Sequence, residues 1–159
     1  GRACELLQVG PEDRVLDLFC GLGNFTLALA RRARGVVGVE GDASLVEWAR
    51  HNAARNDAAN AIFHAADLTG DPRDQGWVRG GYERVLLDPP RSGALEMMPW
   101  VAALGAERVV YVSCHPATLA RDVGELVHRF AYRLESVGVL DMFPHTAHVE
   151  SMAVLVRRV

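Results

Sequence analysis

Residues 14–24 read RVLDLFCGLGN: an apolar run broken by one carboxylate, then two glycines, and then a helical pattern of apolar residues. Such a stretch predicts a buried strand over Arg14–Cys20 that turns sharply into a helix over Asn24–Arg34. Glycines at Gly21 and Gly23 let the backbone turn tightly and approach a ligand closely. The same alternation continues along the chain. Gly35–Glu40, Ala61–Asp67, Arg84–Asp88 and Arg108–Cys114 are Val- and Leu-rich strand candidates. Ala43–Asn56, Gly93–Leu104 and Pro116–Phe130 carry apolar residues at helical spacing, and 71–79 suggests a shorter helix. Residues 3–9 read as the last turns of a helix that ends before Pro11. Strand and helix in alternation predict an α/β fold, a mostly parallel sheet with helices on both faces. Beyond Phe130, Tyr132–Asp141 and Val149–Val159 predict two strands with no long helix between them, hence an antiparallel C-terminal hairpin. That arrangement is Rossmann-like, of the class I methyltransferase kind.

The glycine turn also discriminates among ligands. A dinucleotide fingerprint wants a third glycine at position 26, where this chain has Thr26. An acidic start with two glycines suits S-adenosylmethionine, whose methionine end carries an ammonium and which has no pyrophosphate to cradle. The plain alternative is a tight turn with no ligand. Glu40 ends the second strand, where a carboxylate can accept hydrogen bonds from both ribose hydroxyls. Asp67 ends the third strand, within reach of an adenine edge, and Asp88-Pro89-Pro90-Arg91 follows the fourth. Taken singly, each carboxylate is a solvated strand end; at the ends of successive strands they outline one nucleoside pocket. The two prolines stiffen the loop and fix where Asp88 points. Enzymes that methylate exocyclic amines often place an aromatic residue after such prolines; Arg91 stands here instead.

Two further segments bear chemistry. Cys114 ends the fifth strand in YVSCHPATL, just before a helix N-terminus, a place that favours a thiolate. A lone cysteine in an apolar strand is otherwise an inert core residue. His115 reads as an ordinary loop residue. The segment DMFPHTAHVE, residues 141–150, holds two histidines and two carboxylates, but its pattern does not match a hydrolytic metal site. No metal is therefore expected; Glu150 suits a general base, with His145 and His148 shaping the loop.

Composition sets the bounds. With 159 residues, half of them hydrophobic, the chain is one domain with a real core. No apolar run approaches the roughly 20 residues that span a bilayer, and no signal peptide is visible, so a cytoplasmic, monomeric domain is expected. Three cysteines without a CxxC motif exclude a disulfide framework. A net charge of −3 opposes strong nucleic-acid binding by this chain alone. The opening Gly1-Arg2-Ala3 without an initiator Met reads as a domain excised from a longer protein.

Four motifs in order, DLFCGLGNFTLALA, LLDPPRSG, YVSCHPATLARD and LDMFPHTAHVES, resemble the RNA uracil-5-methyltransferase family. The likeness extends over residues 1–159 and is greatest to its bacterial 23S ribosomal RNA branch, which carries an iron–sulfur cluster. It implies S-adenosylmethionine as cofactor and 23S rRNA as partner, with no membrane and no stable protein partner. It implies Cys114 as nucleophile and Glu150 as the base that deprotonates carbon 5. Phe19, Asn24, Glu40, Asp67 and Asp88 match positions lining the cofactor pocket, although members also place Asn at position 67. The family's RNA-binding barrel, central domain and [4Fe-4S] cysteines belong to an N-terminal part that lies outside this sequence. Three rivals remain open: the tRNA-modifying branch, an amine methyltransferase of the same fold, and a cofactor-binding domain that alone does not methylate RNA.

Overall fold

A computed structural model describes residues 1–140 and 150–158. A short helix α1 (Arg2–Leu7) leads into β1 (Arg14–Leu18), α2 (Asn24–Ala30), β2 (Gly35–Glu40), α3 (Ala43–Arg55) and β3 (Ala61–Ala65). A single 3₁₀ turn, Gly76–Arg79, precedes β4 (Arg84–Leu87), and another, Leu95–Met97, precedes α4 (Met98–Leu104). Then come β5 (Arg108–Ser113), α5 (Pro116–Arg129), β6 (Tyr132–Leu140) and β7 (Glu150–Arg157). The strands form one sheet in the order β3-β2-β1-β4-β5-β7-β6. The first five strands pair in parallel, and β7 runs antiparallel both to β5 and to β6. The expected α/β class, helices on the sheet and C-terminal antiparallel hairpin are all present.

The sheet is buried on both faces, which is why its central strands are near-continuous Val and Leu. Leu16, Leu18 and Tyr111 face Met97, Leu119 and Leu126 on one side. Val15, Leu86 and Val110 face Leu7 and Leu29 on the other. The chain walks outward from β1 to β3 and then returns to β4 on the other side of β1. The reversal opens a crevice at the carboxyl ends of β1 and β4, the usual ligand position in open α/β sheets. No helix among the described residues is long and apolar enough to cross a membrane.

Element ends depart from expectation where tertiary hydrogen bonds outweigh local pattern. The first long helix stops at Ala30 rather than Arg34, because Arg34 N–H donates to the Asp13 carbonyl at 2.9 Å and draws the chain into β2. The helix expected over Gly93–Leu104 starts only at Met98; Gly93 is left-handed at φ 80° and Ala94 N–H is taken by the Asp122 carboxylate at 2.7 Å. In 71–79 only Gly76–Arg79 is helical, as a 3₁₀ turn. The strand expected to reach Asp67 ends at Ala65. His145 and His148 lie outside the described residues.

Gly38 on β2 shows how closely side chains from β3 and from the turn after β1 pack over the sheet. A Cβ there would sit 2.8 Å from the Phe63 ring and 2.9 Å from Cys20 Sγ. Gly38→Ala is expected to lower unfolding free energy by about 1–3 kcal/mol through overpacking, and Cys20→Ala in the same chain should recover part of it. Denaturant midpoints measure both; an unchanged midpoint for Gly38→Ala would mean that the Phe63 ring moves aside freely.

Candidate active site

The turn after β1 passes through left-handed backbone at three positions. Phe19 lies at φ 62°, Gly21 at 53° and Gly23 at 84°. For Phe19 such a conformation is strained and needs support from its surroundings. Support comes from the neighbouring strand. Cys20 N–H donates to the Val39 carbonyl at 3.1 Å, and Gly21 N–H donates to Glu40 Oε2 at 3.0 Å. The other Glu40 oxygen accepts from Asp42 N–H at 3.0 Å. Glu40 thus clamps the turn to the end of β2, while each oxygen keeps a lone pair for a ligand donor.

A cleft of about 400 Å³ opens beside this turn, lined by Phe19, Glu40, Gly41, Asp67, Leu68, Thr69, Asp88 and Pro90. Four of the five expected pocket residues therefore share one cavity. Asn24, the first residue of α2, is exposed and is not among the lining residues. Asp67 Oδ1 accepts from Thr69 N–H at 2.8 Å and Thr69 Oγ1 at 2.7 Å, bonds that lower its pKa and fix its direction. Asp88 is tied back to β1 through its N–H, 3.3 Å from the Leu18 carbonyl. Although its side chain opens to solvent, partial loss of hydration, with Glu150 as a nearby like charge, pushes its pKa up to about 6. Among the described residues, three carboxylates and no Lys or Arg line this cleft. It suits a ligand that is cationic and rich in hydroxyls, and it would repel a pyrophosphate. A larger cavity, about 750 Å³, runs along the α3–β3 edge, but its lining is mostly alanine and it gathers no strand ends. Chemistry, not volume, selects the smaller one.

The second half of the site lies at the end of β5. Buried Ser113 closes a local turn there: its Oγ accepts from His115 N–H at 3.0 Å and donates to the His115 carbonyl at 3.1 Å. This bend leaves Cys114 exposed at the sheet edge. His115 is more than a loop residue, since it caps α5 with Nδ1 accepting from Thr118 N–H at 3.4 Å. The last residue pair between β5 and β7 is Ser113 with Ser151, locked by Ser151 Oγ donating to the Ser113 carbonyl at 3.1 Å. Cys114 follows that pair on one strand and Glu150 precedes it on the other. Antiparallel pairing thus brings together two residues that the sequence separates by three dozen positions. Glu150 in turn is close enough to Asp88 to raise its pKa. Sequence reasoning passed over Ser113 and Ser151, although small hydroxyl residues at strand ends signal such turns.

These motifs and this fold recur in known proteins. The sequence profile of the tRNA (uracil-5-)-methyltransferase family matches residues 77–158, and a general methyltransferase-domain profile matches residues 10–75. The chain belongs to the tRNA (uracil-5-)-methyltransferase family. Its relatives include the 23S rRNA (uracil(1939)-C(5))-methyltransferases of Alkalilimnicola ehrlichii, 67% identical over 156 residues, and of Stenotrophomonas maltophilia, 60% identical. Each alignment covers 98% of this chain and 35% of the relative, so the chain spans about a third of their length. Among solved structures, the Pyrococcus abyssi tRNA (uracil-54, C5)-methyltransferase, in complex with S-adenosyl-L-homocysteine, superposes with a TM-score of 0.79 at 35% identity. That match covers 98% of this chain and 36% of that one. A precorrin-6y C5,15-methyltransferase from Geobacter metallireducens reaches 0.80 at 14% identity, which speaks for the fold alone.

One more carboxylate lies beneath the turn in this family member. Asp17 on β1 is fully buried; its Oδ2 accepts from Thr26 Oγ1 at 2.6 Å, and its Oδ1 has no partner among the described residues. Burial pushes its pKa up to about 7 against the lowering effect of the Thr26 bond, and the charges of Asp88 and Glu40 add to the rise. A carboxyl whose folded pKa is raised binds its proton more tightly in the native state. Its stabilising effect is complete below pH about 4 and is lost as pH rises through the folded value. Unfolding free energy should therefore fall between pH about 4 and 7, by at most about 1.4 kcal/mol per pH unit for each such proton. Asp17→Asn, which keeps an acceptor for Thr26, should flatten that slope and leave the smaller part due to Asp88. Denaturant titrations across this range measure it; a slope identical in both proteins would show Asp17 to be ionised throughout.

Proposed function

We propose that this chain is the catalytic domain of a cytoplasmic, S-adenosylmethionine-dependent enzyme that methylates carbon 5 of a uridine in 23S rRNA. The observation that carries this reading is the pairing of Ser113 with Ser151, which puts Cys114 and Glu150 just beyond the same strand end, near a cleft whose charged lining residues, among those described, are carboxylates. The all-acidic lining fits S-adenosylmethionine, which bears a positive sulfonium and a ribose diol. Glu40, Asp67 and Asp88 would hold it beside Phe19, and it supplies a methyl group on sulfur that a carbon nucleophile can take. Identities of 60–67% to 23S rRNA enzymes, against 35% to the solved tRNA enzyme, favour ribosomal RNA. The acidic net charge leaves most of the RNA grip to other parts of the protein.

Carbon 5 of uracil is a weak nucleophile. Addition of the Cys114 thiolate to carbon 6 forms a carbon–sulfur bond and places the ring electrons in an enolate, from which carbon 5 can attack a methyl group. Once methylated, carbon 5 still bears its hydrogen. Glu150 takes that proton; the electron pair re-forms the 5,6 double bond, and the bond to Cys114 breaks to return the thiolate. A uracil stacked within a helix cannot reach these groups, so the target must be unstacked or flipped outward.

Two substitutions in the full-length protein separate the roles. Cys114→Ala should abolish both methylation and any covalent RNA adduct. Glu150→Gln should still permit addition and methylation, then accumulate a methylated protein–RNA adduct, because removal of the carbon 5 proton slows by about 10²–10⁴-fold. Denaturing electrophoresis with a labelled methyl donor, run in parallel on ribosomal and transfer RNA, reads both outcomes and the substrate. Methylation by Cys114→Ala, or wild-type release of product by Glu150→Gln, would contradict the assignment.

A further inference from the structure

Asp122 on α5 is fully buried, and among the described residues its partners lie on β5, in the loop after β4 and on α5 itself. Its Oδ2 accepts from Tyr111 Oη of β5 at 2.5 Å and from Ala94 N–H at 2.7 Å. Its Oδ1 accepts from Arg121 Nε at 2.8 Å, and Arg121 in turn donates to the Ser92 carbonyl at 2.9 Å. One turn earlier, Thr118 Oγ1 lies 3.1 Å from the Arg91 carbonyl and 3.0 Å from the His115 carbonyl, so its single proton bridges the loop to the turn after Cys114. Gly93 is pressed onto this carboxylate in a left-handed conformation (φ 80°), where a Cβ would lie 2.5 Å from Asp122 Oδ2. A Pro90–Gly93 turn hydrogen bond of 2.9 Å completes the loop. The loop Asp88–Ala94 thus has one anchor on β1, at Leu18, and the others on α5 and Tyr111.

Burying a carboxylate is costly unless its oxygens are satisfied, and here the Tyr111 hydroxyl, the Ala94 N–H and the Arg121 guanidinium satisfy them. What the carboxylate adds is direction, because its bonds join the loop that bears Asp88 to the strand and helix on either side of Cys114. Transfer between two separately held reactants requires their relative position to be fixed within a fraction of an ångström. We propose that Asp122 is a positioning residue: it sets the Asp88–Ala94 loop, and with it the methyl-donor side of the cleft, against the Cys114 turn. This inference rests on the methyl-transfer reading above.

The test uses the full-length protein and compares Asp122→Asn, Thr118→Val and the double variant. Asparagine keeps the volume and one acceptor, while valine at 118 removes the link between the Arg91 and His115 carbonyls and leaves Asp122 intact. Three quantities are read for each: melting temperature, S-adenosylmethionine affinity by calorimetry, and single-turnover methylation rate with RNA and cofactor saturating. The expected result for Asp122→Asn is cofactor affinity within about threefold of wild type and a rate lowered about 10²-fold. Thr118→Val should lower the rate in the same manner but less, and the double variant should be less impaired than the product of the two effects. A lower melting temperature with an unchanged rate would overturn the proposal and make Asp122 structural only. If Asp122→Asn does not fold, Thr118→Val decides alone: a rate loss at intact affinity supports positioning, and an unchanged rate overturns it. A wild-type protein that methylates no uridine would instead remove the reading beneath it.

Discussion

β7 runs against the five parallel strands, inserted between β5 and β6, so its first residue arrives at the edge where the parallel strands end. A parallel strand in the same place would enter from the opposite edge and carry its first residue away from Cys114. The antiparallel register, closed by the hydrogen bond between Ser151 and Ser113, is what places Glu150 beside the end of β5. A continuous hydrophobic ladder lies beneath it, from Val112 opposite Met152 to Val109 opposite Leu155.

Charge shapes the other half of the site. Glu40, Asp67, Asp88 and buried Asp17 gather toward the ends of neighbouring strands, with Glu150 near enough to act on Asp88. Such a cluster is unfavourable in itself: burial raises the pKa of Asp88 and Asp17, and the neighbouring like charges add to the rise. The fold partly offsets this by giving Glu40 and Asp67 backbone donors. A bound cation would relieve the remainder, and so the cleft is preorganised for a positively charged ligand.

The sheet was legible because strands buried on both faces must be apolar throughout, and Arg84–Leu87 or Arg108–Ser113 leave no other reading. Their ends were less legible, since Ala30 and Met98 are set by the Asp13 carbonyl and the Asp122 carboxylate, contacts remote in sequence. Glu40, Asp67 and Asp88 were read as strand-end residues, Phe19 and Asn24 only from the family resemblance; the first four share a cavity, and Asn24, the first residue of α2, stands outside its lining. No spacing rule joins Cys114 to Glu150, and only the family resemblance linked them before the register was known. Asp122 was missed, yet its signal was present: it falls in the buried stripe Leu119, Asp122, Val123, Leu126, where a carboxylate needs buried donors.

The central claim is that Cys114 bonds to carbon 6 of the target uracil, and a substrate that cannot finish the reaction tests it most directly. In RNA carrying 5-fluorouridine, carbon 5 keeps fluorine after methylation and has no proton for Glu150 to take, so the Cys114 thiolate cannot be expelled. Incubating the full-length protein with this RNA and S-adenosylmethionine, followed by proteolysis and mass spectrometry, locates the attached nucleotide. The account predicts one methylated fluorouridine on the peptide that contains Cys114. Attachment at any other residue, or turnover of normal RNA by a protein that forms no adduct with the fluorinated one, would contradict it.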